Sequence, residues 1–114
     1  MTPNDYIATV KSNPETLGFI TLMDVIAAHY NFTPTAFTNG DVVNNADQNQ
    51  GSCKLFAFAR LHGLTDTQTL ACFGEHYRSV RDTPNGTDHQ NIRNFMKTGW
   101  GGVSFDEEPL ASKG

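Results

Sequence analysis

Residues 51–63 read GSCKLFAFARLHG, the most apolar helical run in the chain's central third. It is read as a helix from about Ser52 to Leu61 that ends at His62-Gly63, because glycine readily takes the left-handed conformation that closes helices. Apolar side chains at Cys53, Leu55, Phe56, Ala57, Phe58 and Ala59 wrap most of the way round its axis. A helix that is apolar on nearly all sides is buried, so this one is expected at the centre of the molecule. The polar run NNADQNQ at 44–50 leads into it as a loop whose side-chain amides can satisfy nearby backbone groups.

Working outward toward the N-terminus, Thr2-Pro3-Asn4-Asp5 and Asn13-Pro14-Glu15 each place a capping residue before proline and an acid, so two helices are expected. Phe19, Leu22, Met23, Ile26 and Tyr30 recur at helical spacing and form the buried stripe of the second, ending near Tyr30-Asn31. From Phe32 to Asn45 the residues are rich in Thr, Phe and Val, and Asn39-Gly40 is a strong hairpin turn signal. A small β-hairpin is expected there, with Pro34 confined to an edge or a bulge.

Toward the C-terminus, Thr65 and Gln68 form a capping box that opens a fourth helix, whose buried face is Leu70, Phe73, Tyr77 and Val80. The turn cluster DTPNGT at 82–87 precedes a fifth helix, capped by Asp88, with Ile92, Phe95 and Met96 inward and Gly99 at its end. The expected fold is therefore mainly α: about five helices and one small β-hairpin in a single compact domain over residues 1–105. Residues 106–114, DEEPLASKG, are expected to form a flexible tail.

A chain of 114 residues buries roughly two-thirds of its unfolded surface and forms one core without staples. The 38% hydrophobic and 18% charged content, with eight Phe, three Tyr and one Trp, belongs to a globular protein rather than a disordered one. A formal charge of −4 argues against nucleic-acid binding by a whole-surface field. Two cysteines are too few for a disulfide scaffold, which reads as reduced thiols in a cytoplasmic protein, with a single bridge left open. MTPNDYIATV lacks the basic and apolar regions of a secretory signal, and no apolar run is long enough to span a membrane.

Chemistry-bearing residues are few. Cys53 opens the central helix, where the positive end of the helix dipole would favour a reactive thiolate; the competing reading is a small buried residue at a helix start. A thiol nucleophile, Cys53 or Cys72, would need a base, and His62, His76 and His89 are the candidates, with His62 best read as a helix C-terminal residue favourable to the dipole. Cys72 and His76 are four apart and would share a helix face, which suits two metal ligands, yet no CxxC or HExxH pattern completes a set and no metal or cofactor is expected. The loop NADQNQG lacks the terminal acid of a calcium loop. Arg78 with Arg81 and Arg93 with Lys97 lie one turn apart and could present a cationic edge to an anionic ligand or acidic partner; a merely solvated face looks the same.

The blocks FTPTAF, NQGSCKLFAFA, TLACFGEHYR, DHQNIRNFM and GWGGVSF, between Phe32 and Phe105, resemble the HopJ family, named after a type III effector of plant-pathogenic bacteria. The resemblance implies delivery into a host cell for some members and carries no catalytic residue over to this chain. Fold and family do not define a mechanism. Two functions are weighed: a binding or interaction module that meets an unidentified protein or anionic ligand, and a thiol-dependent hydrolase or transferase built on Cys53 or Cys72 with His76 or His89.

Overall fold

The computed structural model describes residues 1–113, with six α-helices and two small antiparallel sheets. Helix α1 (Pro3–Ser12) starts as its sequence predicts: Thr2 Oγ1 accepts the Asp5 N–H at 3.1 Å, and the Asp5 carboxylate accepts the Thr2 N–H at 3.2 Å. Asn13-Pro14-Glu15 does not open the second helix. It forms a single 3₁₀ turn, Pro14–Thr16, and helix α2 (Phe19–His29) begins only after Gly18. Helix α3 (Gln50–Leu61) is the expected central element, with Leu55, Phe56, Ala57, Phe58 and Ala59 all fully buried.

Phe56 is the hub of the core. Its ring meets those of Phe37, Phe73, Phe95 and Trp100 at centroid distances of 5.1 to 6.1 Å, a range in which edge and tilted aromatic pairs attract. Trp100 anchors the C-terminal segment, its Nε1–H donating to the Leu64 carbonyl at 3.1 Å while the ring packs on Phe95.

The helix expected to run from Thr65 to Val80 is two helices, α4 (Asp66–Ala71) and α5 (Glu75–Asp82). The break falls at Gly74, whose φ of +60° is left-handed. A Cβ there would stand 2.8 Å from both Leu17 O and Phe19 N. The chain turns at Gly74 because the backbone preceding α2 packs against it. Cys72 and His76 therefore do not share a helix face. Helix α6 (Gln90–Thr98) buries Ile92 and Phe95, but Met96, expected inward, is 48% exposed.

The hairpin is present, with its turn one residue later than Asn39-Gly40 suggests. Strands β2 (Phe37–Asn39) and β3 (Val42–Asn44) pair Asn39 with Val42, leaving Gly40-Asp41 as the connection. Strand β4 (Val103–Phe105) adds to the other edge of β2. Pro34 lies outside every strand, between β1 (Tyr30–Phe32) and β2. The C-terminal segment expected to trail freely carries β5 (Leu110–Ser112), which pairs antiparallel with β1. Leu110 is 3% exposed and belongs to the core, so an apolar anchor holds this end of the chain.

Candidate functional site

The starts of α2, α3, α5 and α6 surround a cleft of about 590 Å³. Phe19, Val42, Phe73 and Ile92 supply apolar walls; Asn49, Ser52, Gln90 and Asn91 supply polar ones, and His76, His89 and Asp88 stand with them. His76 and His89 face each other with ring centroids 5.1 Å apart and planes tilted by 41°. They come from different elements and are brought together only by folding.

His76 is placed by the Gly74 turn, which starts α5 directly against the 17–19 backbone. Phe19 stacks on Phe73 at 6.1 Å and meets the His76 ring edge-on at 5.2 Å. Glu75 completes the contact by accepting the Phe19 N–H at 3.2 Å, thereby capping α2, and its other oxygen lies 3.6 Å from His76 Nε2. Burial pushes the Glu75 carboxyl upward. Backbone N–H donors, with His76 and Arg78 nearby, more than offset this and hold it below the ordinary value.

His89 is not a first-turn helix residue behind an Asp88 cap, as the sequence suggested. It is itself the residue that begins α6, in the left-handed conformation with φ 51° and ψ 52°. Asp88 turns instead to Arg93, accepting from Nη2 at 2.6 Å, while Nε donates to the Asp88 carbonyl and Nη1 to the Thr83 carbonyl. Arg93, only 9% exposed, thus straps the 83–88 turn onto α6. Its guanidinium holds the Asp88 carboxyl below the usual carboxylate range. The second Asp88 oxygen lies 3.9 Å from His89 Nε2.

Asn49, at the start of α3, has φ 51° and ψ 40°. Asn49 and His89 are the two non-glycine residues with positive φ among the described residues, and both line the cleft. Such conformations are costly and concentrate at functional sites. A buried amide network holds them: Asn44 Oδ1 accepts from Asn49 Nδ2 at 2.7 Å and from Asn91 Nδ2 at 3.0 Å, while Asn39 Nδ2 donates to the Asn91 carbonyl at 2.7 Å. Neither helix start has a side-chain cap, and among the described residues the N–H groups of Gln50, Gly51, Ser52, Gln90 and Asn91 meet no protein acceptor.

The thiols lie elsewhere. Cys53 and Cys72 are unbridged and fully buried. Burial pushes each thiol up to about 11, against the direction a nucleophile needs. The Cys53 sulfur points to the Thr35 carbonyl at 3.9 Å, and that of Cys72 to the Gln68 carbonyl at 3.3 Å. The helix-dipole argument for Cys53 fails because desolvation of the charged form outweighs it. No three His, Cys, Asp or Glu side chains gather in a metal-holding group among the described residues.

The cationic edge is largely committed to internal contacts. Arg78 donates to the Leu17 carbonyl at 3.0 Å, Arg81 pairs with Glu15 at 3.0 Å, and Arg93 is the strap just described. Lys97 lines a second, smaller groove with Val80, Pro84 and Met96.

The HopJ type III effector protein family model matches residues 3–110, nearly the whole chain. The chain belongs to the HopJ family. A solved structure titled as that of an unknown function protein, VPA0580, resembles this HopJ chain with a TM-score of 0.94 and 50% sequence identity, covering 96% of this chain and 92% of the other. No curated protein matches the chain. The cleft, lined by residues 19, 42, 49, 51, 52, 73, 76 and 87–92, lies wholly within the matched span. No helix among the described residues is long and apolar enough to cross a membrane.

Of the cleft residues, His76 and His89 were legible as candidates from their type. Phe19, Asn49 and Asn91 were not, nor was Gly74, which positions His76. Asn49 alone carried a usable signal, since asparagine is the non-glycine residue that most readily accepts a left-handed backbone and its side chain competes for local hydrogen bonds.

Proposed function

We propose that this HopJ domain is a binding module that takes a small ligand into the cleft between His76 and His89. The observation that carries the reading is the histidine pair itself: two imidazoles from separate elements, 5.1 Å apart, at a mixed apolar and polar cleft. A concave site with apolar walls and a few convergent polar groups is the usual form of a ligand pocket. The strained residues Asn49 and His89 at its rim support the same assignment. Thiol catalysis has no comparable support, since both sulfurs are buried away from the imidazoles' cleft.

Amide NMR of the labelled protein during a screen of small metabolites tests the reading. Shifts are expected to concentrate on residues 49–52, 74–76 and 87–92. Shifts confined to the Lys97 groove, or a screen in which no compound moves a cleft amide, would count against it. The family description adds a second part to the proposal: passage into a host cell by type III secretion, with the domain acting there. A translocation reporter fused to the chain reads that step directly, and a signal independent of the secretion apparatus would remove it.

A further inference from the structure

Resting on the cleft as the binding site, we propose that its ligand is a small oxyanion, a phosphate monoester or a carboxylate, attached to a planar apolar body and held more tightly as His76 and His89 become protonated. Two neutral imidazoles offer one donor and one acceptor each, but an imidazolium offers only donors, and an imidazole changes charge within the range between pH 5 and 8. Two cations with centroids 5.1 Å apart repel unless an anion lies between or beside them. Binding an anion therefore favours protonation of the pair, and protonation favours binding of the anion.

The groups facing the pair fit this reading. Glu75 is 3.6 Å from His76 and Asp88 is 3.9 Å from His89, so each imidazolium has a carboxylate to steady it. Asp88 is compensated by Arg93, and Arg78 lies near enough to Glu75 to lower its carboxyl. The α2, α3 and β3 sides contribute no charged residue to the cleft lining, only Phe19, Asn49, Gly51, Ser52 and Val42. With both imidazoles neutral, Arg78 and Arg93 only balance Glu75 and Asp88, and an oxyanion meets no net positive charge. With both protonated the balance becomes positive, and the N–H groups of the lining residues Gly51, Ser52, Gln90 and Asn91 add donors to an acceptor-only head group.

The apolar body follows from the walls. Phe19 and Phe73 lie with parallel rings, interplanar angle 5°, beside Val42 and Ile92. Phe73 and Ile92 are buried behind the partly exposed Phe19 and Val42; a bare oxyanion would leave the Phe19 and Val42 surface wet, whereas a flat hydrocarbon attached to it would cover that surface and gain the hydrophobic contribution.

The test compares phenyl phosphate, benzoate, benzyl alcohol and inorganic phosphate by amide NMR titration at pH 5.5 and 8.0. Phenyl phosphate or benzoate is expected to move the 49–52 and 87–92 amides at least tenfold more tightly at the lower pH. Whichever of the two binds better identifies the head group. His76→Gln with His89→Asn, the latter chosen because asparagine accepts a left-handed backbone, should abolish that pH difference while the circular dichroism spectrum is retained. Benzyl alcohol binding the same amides equally well at both pH values would overturn the anionic head while leaving the cleft reading intact. Inorganic phosphate matching phenyl phosphate would overturn the apolar body. No movement of cleft amides with any of the four compounds would overturn the proposal, and a hit from the metabolite screen at the same amides would show that the cleft itself survives.

Discussion

Gly74 concentrates much of the molecule's local logic in one residue. Its φ is +60°, and a Cβ would meet Leu17 O and Phe19 N at 2.8 Å, both backbone atoms that cannot swing aside. Gly74→Ala should lower stability by about 3 kcal/mol, from the left-handed strain and the clash together. Urea unfolding reads this, and cleft amides should shift even where the variant folds. His62 supplies a pH signature at the same scale. Its Nε2 lies 2.7 Å from the Tyr30 hydroxyl, and burial lowers its folded-state pKa below the ordinary imidazole value. The unfolded chain then binds the proton more readily, so this contribution is intact above the ordinary imidazole range and declines as pH falls through it toward the folded value. Stability measured from pH 7.5 to 5 should show a shallower loss in His62→Gln than in the parent. An equal or steeper loss would mean that His62 has no part in the slope.

At the scale of elements, the two strands near the C-terminus are each three residues long, and neither has a length or alternation that a local reading could recognise. Strand β4 exists because β2 has an open edge, and β5 because β1 has one. Leu110 is the anchor of the latter. Leu110→Ala should cost about 2–4 kcal/mol, the range for emptying a buried leucine site, and should raise hydrogen exchange at 30–32 and 110–112 before the rest of the chain. The helices divide by the same criterion. Helices α1 and α4 start where their capping boxes say, because a capping box is satisfied within four residues. The α4–α5 break and the left-handed start of α6 answer to partners far along the chain, and no local pattern announces them.

The whole molecule has a radius of gyration of 13.2 Å, about the value expected for a compact domain of this length. Its core is one cluster running from Tyr6 to Leu110, so both ends of the chain contribute to the same interior. Unfolding should therefore be a single cooperative transition, with Trp100 fluorescence and far-UV circular dichroism giving coincident midpoints. Separate midpoints would show that the β1–β5 pair or the α5–α6 side melts by itself.

Local chemistry was sufficient for the mainly helical fold class, the central position of the helix read from about Ser52 to Leu61 and a hairpin between Phe32 and Asn45, because periodicity, caps and turn residues act over a few positions. Tertiary structure decided the cleft. Phe19, Asn49, Gly74, His76 and His89 are spread over some seventy positions of chain, and what unites them is the close approach of the 17–19 backbone to Gly74 together with the buried Asn44–Asn91 network. Tertiary structure also buried both thiols, since how much water reaches a sulfur depends on what packs over it and not on its neighbours in sequence.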